Sequence, residues 1–129
     1  MAVVKVAAAI LYQEGKILIC KRAAGKESCA GLWEFPGGKL EAGESPEQCV
    51  QRECQEELGV SVRIRELVEI ANHHYPEREV QLFFYSASIE SGEPVSRVHP
   101  EIRWVTPREL GTFAFCPADQ GLIRKLSSV

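Results

Sequence analysis

GGKLEAGESPEQCVQRECQEELGV, residues 37–60, is the stretch on which the reading of the whole chain turns. It opens on Gly37-Gly38, which reads as a glycine loop, and runs into a segment with helix start and stop signals. Ser45 is a good N-cap, Pro46 suits the first helical position, and Gln48 completes an S-x-x-Q capping box. Gly59 stands where a left-handed residue ends a helix, so the signals predict a helix over Pro46–Leu58. At about 100° per residue, Glu53, Glu56 and Glu57 share one face, with Val50, Cys54 and Leu58 as an adjoining apolar stripe. Like charges at this spacing repel and destabilise a helix. A solvated acidic face is one account of such a run. A hard cation is the other, because Mg²⁺ takes oxygen ligands in an octahedral array and is often shared with substrate phosphates.

Outward from this stretch, the 129 residues suit one domain spanning 1–129 with a sizeable core. A hydrophobic fraction of 45% with 26% charged residues is that of an ordinary soluble protein. The net charge of −3 argues against a nucleic-acid polymer as partner, since such binders carry a basic face. It does not exclude a small phosphorylated ligand, because a metal can supply the positive charge. No stretch approaches transmembrane length, and a membrane partner is not expected. The apolar start MAVVKVAAAILY contains Lys5 and lacks a cleavage-site pattern, so it reads as a strand rather than a signal peptide. Cys20, Cys29, Cys49, Cys54 and Cys116 are odd in number and contain no C-x-x-C pair. Neither a disulfide framework nor a zinc site is suggested, and a reducing cytoplasm fits.

Val3–Tyr12 and Lys16–Arg22 read as two strands of a hairpin turning at Gln13-Glu14-Gly15. Ala23–Leu32 is a loop punctuated by Gly25 and Gly31. After the helix come an irregular strand over Ser61–Asn72, a connection over His73–Arg78, and a strand over Glu79–Ile89 in which Val80, Leu82 and Phe84 alternate. A short strand over Ile102–Val105, a helical turn from Pro107 to Leu110 and a terminal helix over Pro117–Leu126 complete the chain. His73, His74 and His99 lack zinc-ligand spacing and read as loop residues. Strands flanking a central and a terminal helix predict an α/β layered domain.

The central stretch also resembles the Nudix box, G-x5-E-x7-R-E-U-x-E-E-x-G-U with U apolar, through Gly38, Glu44, Arg52, Glu53, Cys54, Glu56, Glu57, Gly59 and Val60. Cys54 in an aliphatic slot is a mild departure, since a buried free Cys behaves as a small hydrophobe. The resemblance widens through Trp33-Glu34-Phe35-Pro36-Gly37-Gly38-Lys39 and Cys116-Pro117-Ala118-Asp119, which look like the MutT-type nucleoside triphosphate diphosphatases. It implies an α/β/α sandwich around a mixed, partly curled β-sheet. It implies a Mg²⁺ site (Mn²⁺ is a second candidate ion) made by Glu53, Glu56, Glu57 and the Gly37 carbonyl, and a nucleoside triphosphate substrate. A monomer or a homodimer is expected.

Hydrolysis of a phosphoric anhydride needs charge neutralised on phosphoryl oxygens and a water activated, both within the reach of a bound metal. A nearby carboxylate takes the water's proton; Glu53 or Glu56 is the first candidate and Glu101 the second, an exposed strand-edge acid being the plain alternative for Glu101. Arg52 and Glu44 organise the carboxylates through forked hydrogen bonds. Arg22 and Lys39 are candidates for phosphate contact. Glu34 belongs to the matching run before the glycines, Phe35 matches a position where similar enzymes set an aromatic against the base, and Arg78 is placed near the same pocket. Asp119 departs from the Asn typical of guanine-sanitising relatives. An ionised Asp only accepts and would bridge guanine N1–H and the 2-amino group. A neutral Asp would match the donor–acceptor pair of cytosine. Oxidised guanine and (modified) cytosine nucleotides both stay open, as does a non-catalytic recognition module of the same fold.

Overall fold

The computed structural model describes residues 3–128. Its elements in chain order are β1 (Val3–Gln13), β2 (Lys16–Lys21), β3 (Trp33–Glu34), β4 (Gly37–Lys39), α1 (Pro46–Leu58), β5 (Ser61–His74), β6 (Glu79–Ser91), β7 (Glu101–Val105) and α2 (Gln120–Ser127). Two 3₁₀ segments, Pro107–Thr112 and Pro117–Asp119, precede α2. The expected terminal helix is thus a 3₁₀ turn followed by an α-helix.

β1 organises the sheet. It runs parallel to β6 from Val3↔Glu79 to Leu11↔Ala87, and antiparallel to β4 at Val6↔Lys39 through Ala8↔Gly37. Its far end turns into β2 at Gln13↔Lys16, forming the expected hairpin. β2 in turn carries β3 and β7, and β5 lines up antiparallel beside β6. The mixed sheet is not closed. Alternation along β1 and β2 builds a core on each face. Ala8, Ile10, Ile17 and Ile19 pack with Leu122, Ile123 and Leu126 of α2; Ala7, Ala9, Leu11, Leu18 and Cys20 pack with Val50, Cys54 and Leu58 of α1. Period-two side-chain alternation makes this two-sided burial possible, and it yields the expected α/β/α sandwich.

Two expectations are corrected. Gly37-Gly38 is not a loop but the core of β4, and the pairing partner that makes it a strand lies thirty residues away on β1. Glycines read as punctuation because local sequence carries no trace of that pairing. His73 and His74 are strand residues at the end of β5, opposite Val80 and Glu79. The irregular pattern of β5 has a cause: register shifts fall between Ser61/Val62, Ile64/Glu66 and Leu67/Glu69. The first leaves Glu90 of β6 unpaired; the other two insert Arg65 and Val68 into β5 and interrupt its alternation.

β4 must be glycine where it meets β1. A Cβ on Gly37 would lie 2.2 Å from the Ala7 carbonyl oxygen and 2.6 Å from Ala8 Cα, both rigid backbone atoms. Gly37→Ala is therefore expected to destabilise the protein by about 3 kcal/mol, the upper end of over-packing costs, measured by urea unfolding. Wild-type stability in that variant would contradict the packing described.

Candidate active site

The helix signals read from sequence are all realised in α1. The Ser45 side chain accepts from Gln48 N, the Gln48 side chain accepts from Ser45 N, and Gly59 takes φ 73°. With its ends fixed and its apolar stripe buried, α1 has one rotational setting, which brings Glu53 and Glu57 against β4. The Gly37 N–H donates to Glu57 Oε1 at 3.1 Å. A Cβ on Gly38 would lie 2.2 Å from Glu53 Oε2, so the missing side chain is what lets that carboxylate approach the strand.

Arg52 ties these parts together. Nε donates to Glu44 Oε2 at 2.7 Å and Nη2 to Glu44 Oε1 at 3.0 Å, a bidentate pair. Nη2 also donates to the Lys39 carbonyl at 3.0 Å, while Nη1 faces Glu53 Oε2 at 3.2 Å and Glu56 at 3.3 Å. The Arg52 hydrogen bonds and the Glu41 N–H pull the Glu44 carboxyl down to about 2. Burial pushes the Glu57 carboxyl up to about 7 against the opposing field of His99, with Glu53 and Glu34 adding to the rise. Glu53 is raised too, by burial above all, although Arg52 opposes it.

Glu53 and Glu56 turn to Arg52 and Glu57 to the Gly37 N–H; among the described residues no three His, Cys, Asp or Glu side chains converge on one point. The donor set nonetheless fits a hard divalent ion. It is all oxygen, and the glycine cradle admits the Glu53 carboxylate beside β4. Glu53 and Glu57 are held in a setting that disfavours their charged forms, the condition a cation relieves.

A cavity of about 380 Å³ opens beside β4. Arg22, Glu34, Phe35, Lys39, Arg78 and Asp119 all line it, together with Gly37 and Gly38. Residues up to ninety-seven positions apart in sequence thus line one cavity. Arg22 Nη1 donates to Glu34 Oε1 at 3.0 Å and Nη2 to Glu27 at 3.1 Å. Phe35 is buried edge-on against Phe84 and tilted against Phe115, so it is a core residue as well as cavity lining. Arg78 Nε is buried with no partner. Asp119 is 3% exposed at the start of α2, where its side chain makes no capping bond. Burial raises its carboxyl well above the usual range, Glu34 adds to the rise and Arg22 opposes it. The Tyr75 hydroxyl accepts from Ala118 N at 3.0 Å and anchors this segment to the β5–β6 turn.

Glu101 stands apart. On β7 it pairs across to Lys21 of β2, is held by Arg103 Nε, and does not line the cavity. His99 is the residue that sequence reasoning missed. Read as a loop histidine, it is in a connection, but buried, with Nε2 2.9 Å from Glu34 Oε2. Burial pulls its imidazole down, yet the Glu34 hydrogen bond and the fields of Glu57 and Glu34 outweigh this and leave it raised. Its sequence neighbours, Val98 and Pro100, gave no periodic signal for burial.

The chain matches the NUDIX domain family over residues 1–126 and belongs to the Nudix hydrolases. It is 39% identical over 125 residues to an 8-oxo-dGTP diphosphatase of Haemophilus influenzae, covering 96% of this chain and 91% of the relative. It is 35% identical over 123 residues to a CTP pyrophosphohydrolase of Escherichia coli, covering 95% and 90%. The solution structure of the E. coli ORF135 protein matches with a TM-score of 0.85 at 33% identity, over 99% of this chain and 91% of that one. Nudix hydrolases generally use a divalent metal such as Mg²⁺. No described helix is long and apolar enough to cross a membrane.

The carboxylate settings predict how the metal-free protein responds to pH. Glu57 near 7 against a usual 4.5 binds its proton more tightly folded than unfolded. The resulting stability is complete below about 4.5 and is lost as pH rises through about 7. Glu53 and Asp119 shift in the same direction. The melting temperature in chelator should fall from pH 6 to pH 8, less steeply in Glu57→Gln, and Mg²⁺ should restore more of it at pH 8 than at pH 6. A melting temperature that climbs over this interval would contradict the assignment.

Proposed function

We propose that the protein hydrolyses a modified nucleoside triphosphate to the monophosphate and pyrophosphate with Mg²⁺ as cofactor, 8-oxo-dGTP being the favoured substrate. The observation that carries this reading is the cavity, lined by a buried Asp119 and by the cations Arg22 and Lys39, beside the strand that Glu53 and Glu57 approach. A nucleoside fits the Asp119 end and a polyphosphate the cationic side. Glu53, Glu56 and Glu57, with the Gly37 carbonyl, are the residues proposed to hold the metal, which when bound would neutralise phosphoryl charge and acidify a water. Glu53 or Glu56 is proposed to accept the water's proton. Arg52 fixes the direction of both, and its pairing with Glu44 keeps it in place. Glu101, bound to Arg103 outside the cavity, is the weaker candidate base.

Asp119 is compatible with either base. Its raised carboxyl favours the neutral acid, which offers one O–H donor and one carbonyl acceptor. That pair complements O6 and N1–H of guanine or 8-oxoguanine as an Asn amide would. It also complements N3 and the 4-amino group of cytosine. The kinship to a CTP pyrophosphohydrolase favours this second reading, a CTP or 5-substituted dCTP hydrolase. Phe35, Glu34 and Arg78 are proposed to complete the nucleoside wall.

The test is Mg²⁺-dependent pyrophosphate release from dGTP, 8-oxo-dGTP, dCTP, CTP and 5-methyl-dCTP, compared by kcat/KM. Preference for 8-oxo-dGTP supports the first reading and preference for the cytosine set the second. Glu53→Gln with Glu56→Gln should lower turnover by at least ~10²-fold, the scale of losing one group that stabilises transition-state charge. Full retention of turnover in that double variant would overturn the proposed catalytic roles.

A further inference from the structure

His99 lies between β6 and β7 with its side chain only 4% exposed, and it does not line the cavity. Nε2 is 2.9 Å from Glu34 Oε2. Nδ1 is buried without any partner. An unpaired buried nitrogen is unfavourable, and an apolar side chain would fill the same space without that penalty. Packing alone therefore does not account for a histidine here. What the histidine adds is its bond to Glu34.

Glu34 is the other half of the argument. It sits on β3, paired with Cys20 of β2, and lines the cavity close enough to Asp119 to raise its carboxyl. Arg22 Nη1 holds Oε1 at 3.0 Å while His99 holds Oε2. The carboxylate is gripped at both oxygens, by a cavity residue on one side and a buried ring on the other. A carboxylate offers about four lone-pair sites, so both oxygens keep acceptor capacity for a ligand. A group held this way is set in direction before a ligand arrives, which is the condition for discriminating between ligand donors.

We propose that His99 is a positioning residue for substrate selection, fixing Glu34 as an oriented acceptor for a hydrogen-bond donor on the nucleoside part of the substrate. This rests on the reading of the cavity as the nucleoside site. His99 touches no substrate in this account; it acts through Glu34.

The test compares His99→Gln, His99→Asn and Glu34→Gln on the same triphosphate panel, with melting temperatures alongside. The Gln amide reaches the position of Nε2, whereas the Asn amide stops near that of Nδ1. His99→Asn should raise KM for the preferred triphosphate about tenfold, the equivalent of one hydrogen bond to a charged group. It should flatten the preference over the other triphosphates and change kcat far less. His99→Gln should recover most of the preference. His99→Asn combined with Glu34→Gln should lose no more than Glu34→Gln alone, since the two act as one unit. If His99→Asn does not fold, His99→Leu, which fills the site without a donor, carries the same expectation. A purely structural role would lower the active fraction equally for every substrate and leave KM and preference unchanged. That pattern, or additive losses in the double variant, overturns the proposal while leaving the wild-type function intact. Failure of the wild type to cleave any of the panel would overturn both.

Discussion

The Arg52 guanidinium is the contact on which the site depends. Its fork spans Glu44 in the loop before α1, the Lys39 carbonyl at the end of β4, and Glu53 and Glu56 on its own helix. It therefore joins three separate pieces of chain at one planar group. Without a cation there, the carboxylates of Glu44, Glu53 and Glu56 would face one another, and repulsion would splay the loop from the helix. Lysine would not substitute, because a single ammonium cannot satisfy Glu44 at both oxygens and still reach a carbonyl. The constraint on the other side is steric. Gly37 and Gly38 let β4 lie against β1 and let Glu53 lie against β4, so the carboxylate face of α1 and the sheet meet with no side chain between them.

This geometry explains which parts of the protein were readable from sequence. The signals for α1 are local: a capping box, a proline at the first helical position and a left-handed glycine act within a few residues, and the helix has the predicted ends. The β1–β2 hairpin was equally legible through its turn. β4 was not, because its identity as a strand comes from pairing with Val6–Ala8 rather than from its own glycines. Asp119 and Phe35 were placed in a binding role by resemblance, while the cavity that unites them with Arg22, Glu34, Lys39 and Arg78 is a product of the folded sheet. His99 was illegible for a related reason. Its significance lies in the buried bond to Glu34, sixty-five residues earlier.

The two ends of the site are tuned in opposite ways. Glu44 is held by Arg52 and a backbone N–H in a setting that favours its charged form. Glu57 and Asp119 are buried in settings that favour the neutral form. The first suits a structural anchor that stays ionised. Glu57 is suited to a ligand whose charged form a cation would favour. Asp119 is suited to an acid that both gives and receives a hydrogen bond. The anchor and the proposed cation ligands thus come from α1 and the loop before it, while the cavity is lined by several strands and the segment before α2.

The proposed reaction cuts a nucleoside triphosphate between its α- and β-phosphates, and the resemblance to MutT-type enzymes implies that water attacks the β-phosphorus. The most direct measurement is ³¹P NMR of the products formed in H₂¹⁸O with Mg²⁺. The account predicts nucleoside monophosphate and pyrophosphate, with ¹⁸O carried by the pyrophosphate. Orthophosphate with nucleoside diphosphate would contradict the account, and ¹⁸O in the monophosphate would contradict the direction of attack.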